Sequence, residues 1–278
     1  MIIPLTGRGV ITLTGPDAKS LLQGIITNDI GRLGPGQPIY AALLTPQGKY
    51  LHDFIISEQR DSLYLDCEAE RRADLIRRLT MYRLRAKVEI ADRTDDLTVA
   101  AIIEGAAPDL GPEAIVIRDP RHEKLGFRAI LPRPALAALP QGAAADYEHL
   151  RLDLNVPDGS SDFEVEKTLI LEGNMEQLNG VSFTKGCYVG QELTARTKHR
   201  GKVRKRLLTV DISGPTPAPG TPIFDGEKEI GHMRSGIKGL GMALLRVEDL
   251  TPGKSYASGN SKITPRLPAW LQLQETAS

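Results

Sequence analysis

The spacing of apolar residues changes once along this chain of 278 residues, close to residue 202. Before that point, segments with the alternation of a strand, such as residues 50–57, are followed by segments with helical spacing, such as residues 68–84. After it, short apolar strands are separated by glycine, proline and Asp-Gly turns, and few helical patterns remain. This order predicts an α+β region followed by a small antiparallel β-barrel.

The α+β region repeats a similar order of strands and helices. It therefore predicts two units within residues 1–200, at about 1–93 and 94–200, and the barrel is expected over residues 203–270. Residues 156–168 (VPDGSSDFEVEKT) are predicted to form a polar loop. We expect a bipartite body with an appended barrel.

Charge and composition exclude several classes of protein. Thirty-five basic residues balance thirty-five acidic ones, so the net charge indicates neither a nucleic acid nor a membrane partner. No stretch approaches about 18 consecutive apolar residues, and the first residues lack the pattern of a targeting signal. The two cysteines, Cys67 and Cys187, are too few for a disulfide framework or a four-thiolate metal site. We predict a cytoplasmic protein with no membrane contact and no metal site of its own.

The segment FTKGCYVGQE, residues 183–192, invites a chemical interpretation. The composition of residues 187–197 favours a helix, which would place Cys187 at its amino end with Lys185 two residues earlier. Unpaired amides, the helix dipole and the ammonium would then all lower the pKa of the thiol. The alternative is a small buried apolar side chain, which is what most free cysteines are. The residues alone leave both interpretations open.

A run of basic residues follows the cysteine, with no acidic residue among them. The run consists of Arg196, Lys198, Arg200, Lys202, Arg204, Lys205 and Arg206. It can bind phosphate groups or a polyanionic tail. Because no aromatic residues are interleaved, a solvated linker or a charged strand edge is the more common interpretation, and we do not predict direct nucleic-acid binding.

Two acidic residues lie in apolar surroundings. Asp53 lies in the strand pattern of residues 52–56, and Asp153 follows Arg151 in a predicted helix. A carboxylate in such a place is either paired with an arginine or kept to hold a ligand. It also suits a 2-aminopyrimidine-like edge, because it can accept two parallel N–H bonds. The pattern alone favours the structural interpretation for both residues.

The octapeptide KGCYVGQE, residues 185–192, resembles the signature K-G-C-[FY]-x-G-Q-E of the YgfZ family. These tetrahydrofolate-binding proteins are related to the aminomethyltransferase (T-protein) of the glycine cleavage system. Further segments look like family segments in the expected order, so the resemblance covers roughly residues 5–250. They include LLQGIITNDI, LTPQGKYLHDFII, YRLRAKVEIAD and LEGNMEQLNGVSFTKGCYVGQELTARTKHRG.

The resemblance implies a ring-like arrangement of the α+β region and the barrel, with tetrahydrofolate in the central opening. It implies a role in assembling or maintaining iron–sulfur clusters, including those of tRNA-modifying enzymes, with assembly proteins or client enzymes as partners. Cys187 would be the functionally important residue, assisted by Lys185. The folate contacts that we expect are Asp53, Arg151, Asp153, Tyr188, Gln191, Glu192 and Arg196.

The same resemblance distinguishes this chain from the T-protein branch. That branch has paired acids where this chain has His52 and Asp53, and R-L-E-A-G where residues 151–155 read RLDLN. The histidine argues against glycine cleavage, so enzyme activity is left open, and Asp153 is a candidate pterin anchor. The leading hypothesis is a folate-binding iron–sulfur assembly factor. The alternatives are a folate-dependent one-carbon transferase that uses Asp53 and a tRNA-binding accessory factor. The basic run is also a candidate to bind the polyanionic γ-glutamate tail of cellular folates.

Overall fold

A computed structural model describes residues 1–200 and 203–271 of the chain. The strands are β1 (Ile2–Pro4), β2 (Arg8–Thr14), β3 (Ile39–Leu44), β4 (Tyr50–Gln59), β5 (Ser62–Glu68), β6 (Glu89–Asp92), β7 (Leu97–Ile102), β8 (Ile115–Arg118), β9 (Phe127–Pro132), β10 (Lys205–Ser213), β11 (Pro222–Asp225), β12 (Lys228–Ile237), β13 (Leu240–Arg246), β14 (Tyr256–Ser258) and β15 (Ser261–Pro265). The α-helices are α1 (Ala18–Ile25), α2 (Arg72–Arg83), α3 (Arg133–Ala137), α4 (Ala144–Asp153), α5 (Gly159–Asp162) and α6 (Gln191–Arg200).

The first sheet is antiparallel and has the strand order β3-β4-β5-β2-β6. Helices α1 and α2 lie on its outer face. Helix α1 has buried side chains at Leu22 and Ile25, and α2 has buried side chains at Leu75 and Leu79. These residues recur at helical spacing, so each helix buries one apolar stripe against the sheet.

The second sheet has the strand order β1-β7-β9-β8 and carries α3 on its outer face. Its edge strand β1 comes from the first residues of the chain, since Ile3 pairs with Ala101 of β7. The second sheet is therefore completed by residues that precede the first sheet. The main apolar core lies between the two inner faces and includes Tyr40, Ile55, Val99 and Ile130.

Strands β10 to β15 close into an antiparallel barrel. Its interior is filled by apolar side chains such as Val210, Met233 and Leu245. The barrel attaches to the body at Thr209, whose main-chain N–H donates to Asn155 Oδ1 over 2.7 Å. The predicted class, an α+β region with a small C-terminal antiparallel barrel, is confirmed. In the described part of the chain, no helix has both the length and the apolar character that crossing a membrane requires.

The prediction of a polar loop at residues 156–168 is wrong, because part of this segment is helical and buried. The structure forms α5 there and buries Asp162 and Phe163, whose ring stacks on Tyr50 with centroids 4.5 Å apart. The segment is polar in sequence because its carboxylates serve buried arginines, and Arg151 Nη1 donates to Asp162 Oδ2 over 2.9 Å. Polar composition therefore does not indicate exposure when the partners are buried cations.

Candidate functional site

A cavity of about 360 Å³, here the central cavity, lies where the start of β2, strand β9, helix α4 and the segment before α5 meet. Its volume falls within the range of small-molecule sites in proteins. The residues that line it are Pro4, Leu5, Thr6, Gly7, Arg8, Arg128, Ala144, Ala145, Tyr147, Glu148 and Asp158.

Two arginines from different sheets converge on Asp66 behind the wall of this cavity. Val10 pairs with Asp66 across the β2–β5 ladder, so Arg8 lies diagonally opposite on the same face. Arg8 Nε donates to Asp66 Oδ1 over 2.6 Å, and Arg128 Nη1 of β9 donates to Oδ2 over 2.5 Å. All three side chains are buried. Asp66 thus joins the two sheets by ion pairs.

A third arginine extends this network. Arg121 Nη2 and Arg128 Nε both donate to Asp119 Oδ2, over 2.8 Å and 2.9 Å. Burial disfavours the Asp119 charge, but the two guanidinium groups outweigh it and hold the carboxyl pKa below its usual value. Asp158 at the cavity adds a third carboxylate to Asp66 and Asp119, so the charges of the three arginines are balanced.

The Tyr147 hydroxyl is placed on the cavity wall by two of these arginines. It accepts from Arg121 Nη2 over 2.8 Å and from Arg128 Nη2 over 2.7 Å. Because both bonds use oxygen lone pairs, its own hydrogen must be donated elsewhere. Tyr147 lines the cavity, so this hydrogen is available to a ligand acceptor.

Two carboxylates, those of Asp158 and Glu148, also line the cavity. The Asp158 side chain is 41% exposed and has Arg8 Nη1 at 3.7 Å. Burial raises the pKa of Asp158, but the charges of Arg151 and Arg8 outweigh it and lower the pKa overall. Glu148 accepts from Arg151 Nε over 2.6 Å, and it also lines a groove of about 540 Å³ between α5 and the barrel. Each carboxylate keeps lone pairs for N–H donors of a ligand.

Asp53 and His52 are neighbours in β4 and point to opposite faces of the sheet. Asp53 is buried on the inner face, where it accepts from Tyr40 Oη over 3.0 Å and from Tyr50 Oη over 2.6 Å. Burial and the Asp53 charge raise the pKa of both phenols. His52 Nε2 lies 2.8 Å from Asp74 Oδ2 on the outer face, and burial lowers its pKa to about 4. The structure therefore does not bring the pair together at the cavity.

The arginine and the acid of the RLDLN segment separate in the structure. Arg151 is buried and joins α4 to the barrel, since its Nη2 donates to Ser235 Oγ over 3.0 Å. Asp153 is exposed and accepts from Arg266 Nη1 over 2.5 Å. Neither lines the central cavity. Their role as folate contacts stays a prediction, and the carboxylates at the cavity are Asp158 and Glu148.

The cysteine segment, residues 184–190, is exposed at Gly186 and Cys187. The prediction that Cys187 begins a helix is wrong, because α6 begins at Gln191. Gly190 has φ +83°, and a Cβ added there would lie 2.5 Å from Thr45 O. The chain therefore turns at a position that only glycine fits, and the helix starts after it. Cys187 belongs to a turn held against the β3–β4 connection. Cys67 is buried, and burial raises its pKa to about 12.

Lys185 fixes the other end of this segment. Its Nζ donates to Gln23 O, Ile26 O and Asn28 O over 2.8, 2.7 and 2.9 Å, around the end of α1. These three bonds use every ammonium hydrogen, so Lys185 anchors the segment rather than facing the thiol. The ring of Tyr188 lies under the ammonium, with its centroid 5.0 Å from Nζ. Burial raises the pKa of Tyr188 to about 12.

The remaining predicted contacts lie on α6. Gln191 is half-buried, and Glu192 and Arg196 are exposed. In the basic run, Lys198 pairs with Glu176, and Arg206 Nη1 donates to Leu171 O over 2.6 Å. The Arg200 side chain and Lys202 lie outside the described part of the chain. Among described residues, no group of three His, Cys, Asp or Glu side chains is arranged to hold a metal ion.

Sequence reasoning missed the residues that build the central cavity. They are Arg8, Asp66, Asp119, Arg121, Arg128 and Tyr147. A signal was present, because Asp66 in LYLDC and Arg128 in FRAIL interrupt apolar strands with a charge. Their partners come from distant parts of the chain, so the pattern does not reveal which charges meet.

Two family models match the chain. Residues 2–117 match the GCVT N-terminal domain, and residues 204–273 match the CAF17 C-terminal beta-barrel domain. The glycine cleavage system aminomethyltransferase T from Bartonella henselae superposes with a TM-score of 0.77 over 95% of this chain and 84% of its own, at 17% identity. The fold is thus that of aminomethyltransferase T, with a C-terminal barrel.

Curated relatives narrow this class. The "Iron-sulfur cluster assembly factor IBA57, mitochondrial" of Mus musculus is 34% identical over 96% of this chain and 84% of its own length. The Homo sapiens protein of the same name is 36% identical over 88% of this chain and 77% of its own. The chain belongs to the IBA57 family of iron–sulfur cluster assembly factors, which is related to the YgfZ proteins and to aminomethyltransferases. Membership of the YgfZ family itself stays a prediction.

The relatives contradict the predicted cytoplasmic location. Those of Mus musculus, Homo sapiens and Mycosarcoma maydis are all named as mitochondrial proteins. The cytoplasmic prediction relied on the scarcity of cysteines and on the lack of a targeting pattern. A low cysteine content excludes a disulfide-rich secreted protein, but it does not distinguish one reducing compartment from another.

Proposed function

We propose that this chain supports the assembly or maintenance of iron–sulfur clusters and that it binds tetrahydrofolate in the central cavity. The observation that carries the proposal is the lining of that cavity. Arg8, Arg128 and Tyr147 supply donors to this lining, and Asp158 and Glu148 supply acceptors. A site with both kinds of group suits a flat heterocycle that carries donors and acceptors along one edge.

The donor and acceptor pattern fits a 2-amino-4-oxo-pteridine. A carboxylate can accept two parallel N–H bonds from the 2-amino and ring N–H groups of such a ring. Asp158 is suited to this role, because its lowered pKa keeps it charged at neutral pH and it has no closer partner than Arg8 at 3.7 Å. The Tyr147 hydroxyl and the arginines would donate to the carbonyl. When bound, tetrahydrofolate supplies a reduced ring that can carry one-carbon units.

Cys187 would provide the thiol for the cluster-related step. It is exposed on a segment fixed at both ends, which suits contact with a second protein. With Cys67 buried, one chain cannot supply the four thiolates of a common cluster, so any cluster would be shared with a partner. Clients that modify tRNA are part of the proposal only through the resemblance of residues 185–192 to the YgfZ signature.

Calorimetric titration with tetrahydrofolate tests the ligand and its position. We expect Asp158→Asn to weaken binding at least about tenfold, because leaving a donor unpaired in a site costs about 1–3 kcal/mol. Asp95→Asn, at an exposed acid that does not line the cavity, is the matched control. If Asp153→Asn weakens binding and Asp158→Asn does not, the pterin lies elsewhere. If the wild-type chain shows no heat of binding, the folate proposal is wrong.

A complementation assay tests the role of the thiol separately. Cys187→Ser should fail to restore cluster-enzyme activity in a strain that lacks the protein, whereas Cys67→Ser should restore it in proportion to the amount of folded protein. Full activity with Cys187→Ser would remove the thiol from the proposal and leave the folate site untouched.

The one-carbon transferase remains an alternative because Asp53 is buried beside two phenols on the inner face of the first sheet. It requires that purified protein turns over an aminomethyl or methyl donor with tetrahydrofolate at a steady rate. Loss of that turnover in Asp53→Asn, with folate binding retained, would favour it over the assembly factor.

A further inference from the structure

The turn that follows α2 holds a leucine in a conformation that suits glycine. Leu84 has φ 48° and ψ −108°, and the main-chain N–H of Ala86 donates to Arg83 O over 2.8 Å. These angles and this bond define the first corner of a type II′ turn, where a residue with a Cβ is strained. Strain of this kind persists only where the surrounding structure or a function maintains it.

The strained backbone does not place the Leu84 side chain in a buried contact within the molecule. Its side chain is 86% exposed, and Met81, one turn earlier on α2, is 63% exposed. Across residues 1–200 and 203–271, these are the two most exposed large apolar side chains. A strained backbone that holds an apolar side chain in water stabilises nothing in the isolated chain. A contact outside the molecule explains it better.

Positive charge surrounds the two apolar side chains. Residues 71–87 contain seven basic residues and a single acid, Asp74, which already accepts from Arg77 and Arg78. Arg77 also contacts Met81, with Nη1 3.5 Å from the sulfur. Arg85 and Lys87 are exposed, and neither forms an ion pair with any residue in the described part of the chain. We name Met81, Leu84 and these three cations the α2 knob.

The α2 knob is held rigidly. Arg83 Nη1 donates to Val88 O over 3.2 Å, and the main-chain N–H of Lys87 donates to Asp17 Oδ2 over 2.7 Å. The turn is therefore fixed to Asp17, the residue immediately before α1. A rigid projection loses little conformational entropy on binding, which suits a preformed socket.

We propose that the α2 knob docks into an acidic protein surface with an apolar socket for Leu84. A protein is favoured over a membrane because a single myristoyl chain gives only marginal membrane binding, and two side chains bury less apolar surface than that. Methionine and arginine are also enriched in protein interfaces. The proposal goes beyond the function proposed above and needs no ligand in the cavity.

The position of the knob adds a consequence for the cysteine segment. Lys87 is bonded to the start of α1, whereas Lys185 is bonded to carbonyls around its end. Helix α1 has eight residues and is therefore about 12 Å long. The knob and the cysteine segment are therefore anchored near opposite ends of one short helix.

Photo-crosslinking in the full chain identifies the occupant. Benzoylphenylalanine at position 81 should crosslink a single predominant acidic protein in cells, and the same group at exposed position 238 on the barrel should not. The purified partner should then bind the wild-type chain. Leu84→Asp and Arg85→Glu should each weaken that binding at least about tenfold, and Lys238→Glu should leave it unchanged. Affinity should also fall as salt is raised.

Leu84→Gly separates docking from folding. It should raise the Tm, because the strain is relieved, and still weaken partner binding, because the side chain is gone. A lowered Tm would overturn the argument from strain. No crosslink above that of position 238, or equal partner affinity in Leu84→Asp, would overturn the docking proposal. Vesicles of phosphatidylcholine and phosphatidylglycerol that bind the wild type but not Leu84→Asp would assign the knob to a membrane instead.

Discussion

The central cavity and the cysteine segment are held in place by different kinds of interaction. At the cavity, side chains from two sheets and a helix converge in ion pairs around Asp66 and Asp119. The cysteine segment is instead fixed against main-chain carbonyls at its two ends, where the Lys185 ammonium donates to carbonyls near α1 and Gly190 packs against Thr45 O. The first region depends on several charged side chains that meet from different elements, and the second on one ammonium and one glycine of a contiguous segment. Each should therefore respond to different substitutions.

The largest expected effect is the loss of the acid that joins the two sheets. Asp66→Asn keeps the shape of the side chain but leaves Arg8 and Arg128 without their shared countercharge. Breaking a buried ion pair in this way costs about 3–5 kcal/mol, so the free energy of unfolding should fall by that amount in a urea titration. Asp95→Asn, an exposed acid, should change it by less than about 0.5 kcal/mol. Equal losses in the two variants would show that the network does not hold the sheets together.

A smaller effect is expected at the cysteine segment. Lys185→Met removes the ammonium from three carbonyls, and hydrogen bonds to a buried charge contribute about 1.5–3 kcal/mol. We expect a loss of about 2 kcal/mol in unfolding free energy, with faster amide hydrogen exchange in residues 184–190. Tetrahydrofolate affinity should stay unchanged in the same variant. A parallel loss of folate binding would join the two regions into one site.

The pH dependence of the unfolding free energy should distinguish the contribution of His52, on the outer face of the first sheet, from that of the carboxylates at the cavity. His52 has a folded pKa of about 4, below its usual value, so the unfolded chain binds more protons between about pH 4 and 6.5. Neutral His52 therefore does not lower the free energy of unfolding above this pH window. As the pH falls through the window, the unfolded chain gains a proton first, and the free energy of unfolding falls by about 2 kcal/mol at pH 5. His52→Gln should reduce the slope between urea titrations at pH 7 and pH 5 and leave the part due to His232, whose pKa is also lowered by burial. The slope that remains at lower pH should come from carboxylates with lowered pKa, such as Asp119 and Asp158.

The smallest effect is expected at the acid that the sequence pointed to. Asp153→Ala removes an exposed pair with Arg266, and exposed pairs are worth about 0–1 kcal/mol. Stability and tetrahydrofolate affinity should both stay close to those of the wild type. A tenfold loss of affinity in this variant would return Asp153 to the pterin site and would contradict the cavity as its location.

What the sequence could predict follows from how each feature is encoded. Local periodicity was sufficient for β4 and for α2, and turn chemistry was sufficient for the barrel. The cysteine segment was found because its residues are contiguous. The start of α6 was placed too early, because helix propensity does not register that Gly190 packs against Thr45. The cavity was missed because Arg8, Asp66 and Arg128 meet only after two sheets have formed.

Glu148 links the wall of the central cavity to the barrel through Arg151. The same carboxylate lines the cavity and holds Arg151, whose guanidinium also bonds Asp162 and the Ser235 hydroxyl of the barrel. A chain that ends at residue 203 would lack Ser235. Arg151 would then lose one of its partners, and Glu148 in the cavity wall would be held less firmly. The α+β region and the barrel are therefore coupled through Arg151, and removing the barrel should alter the wall of the cavity.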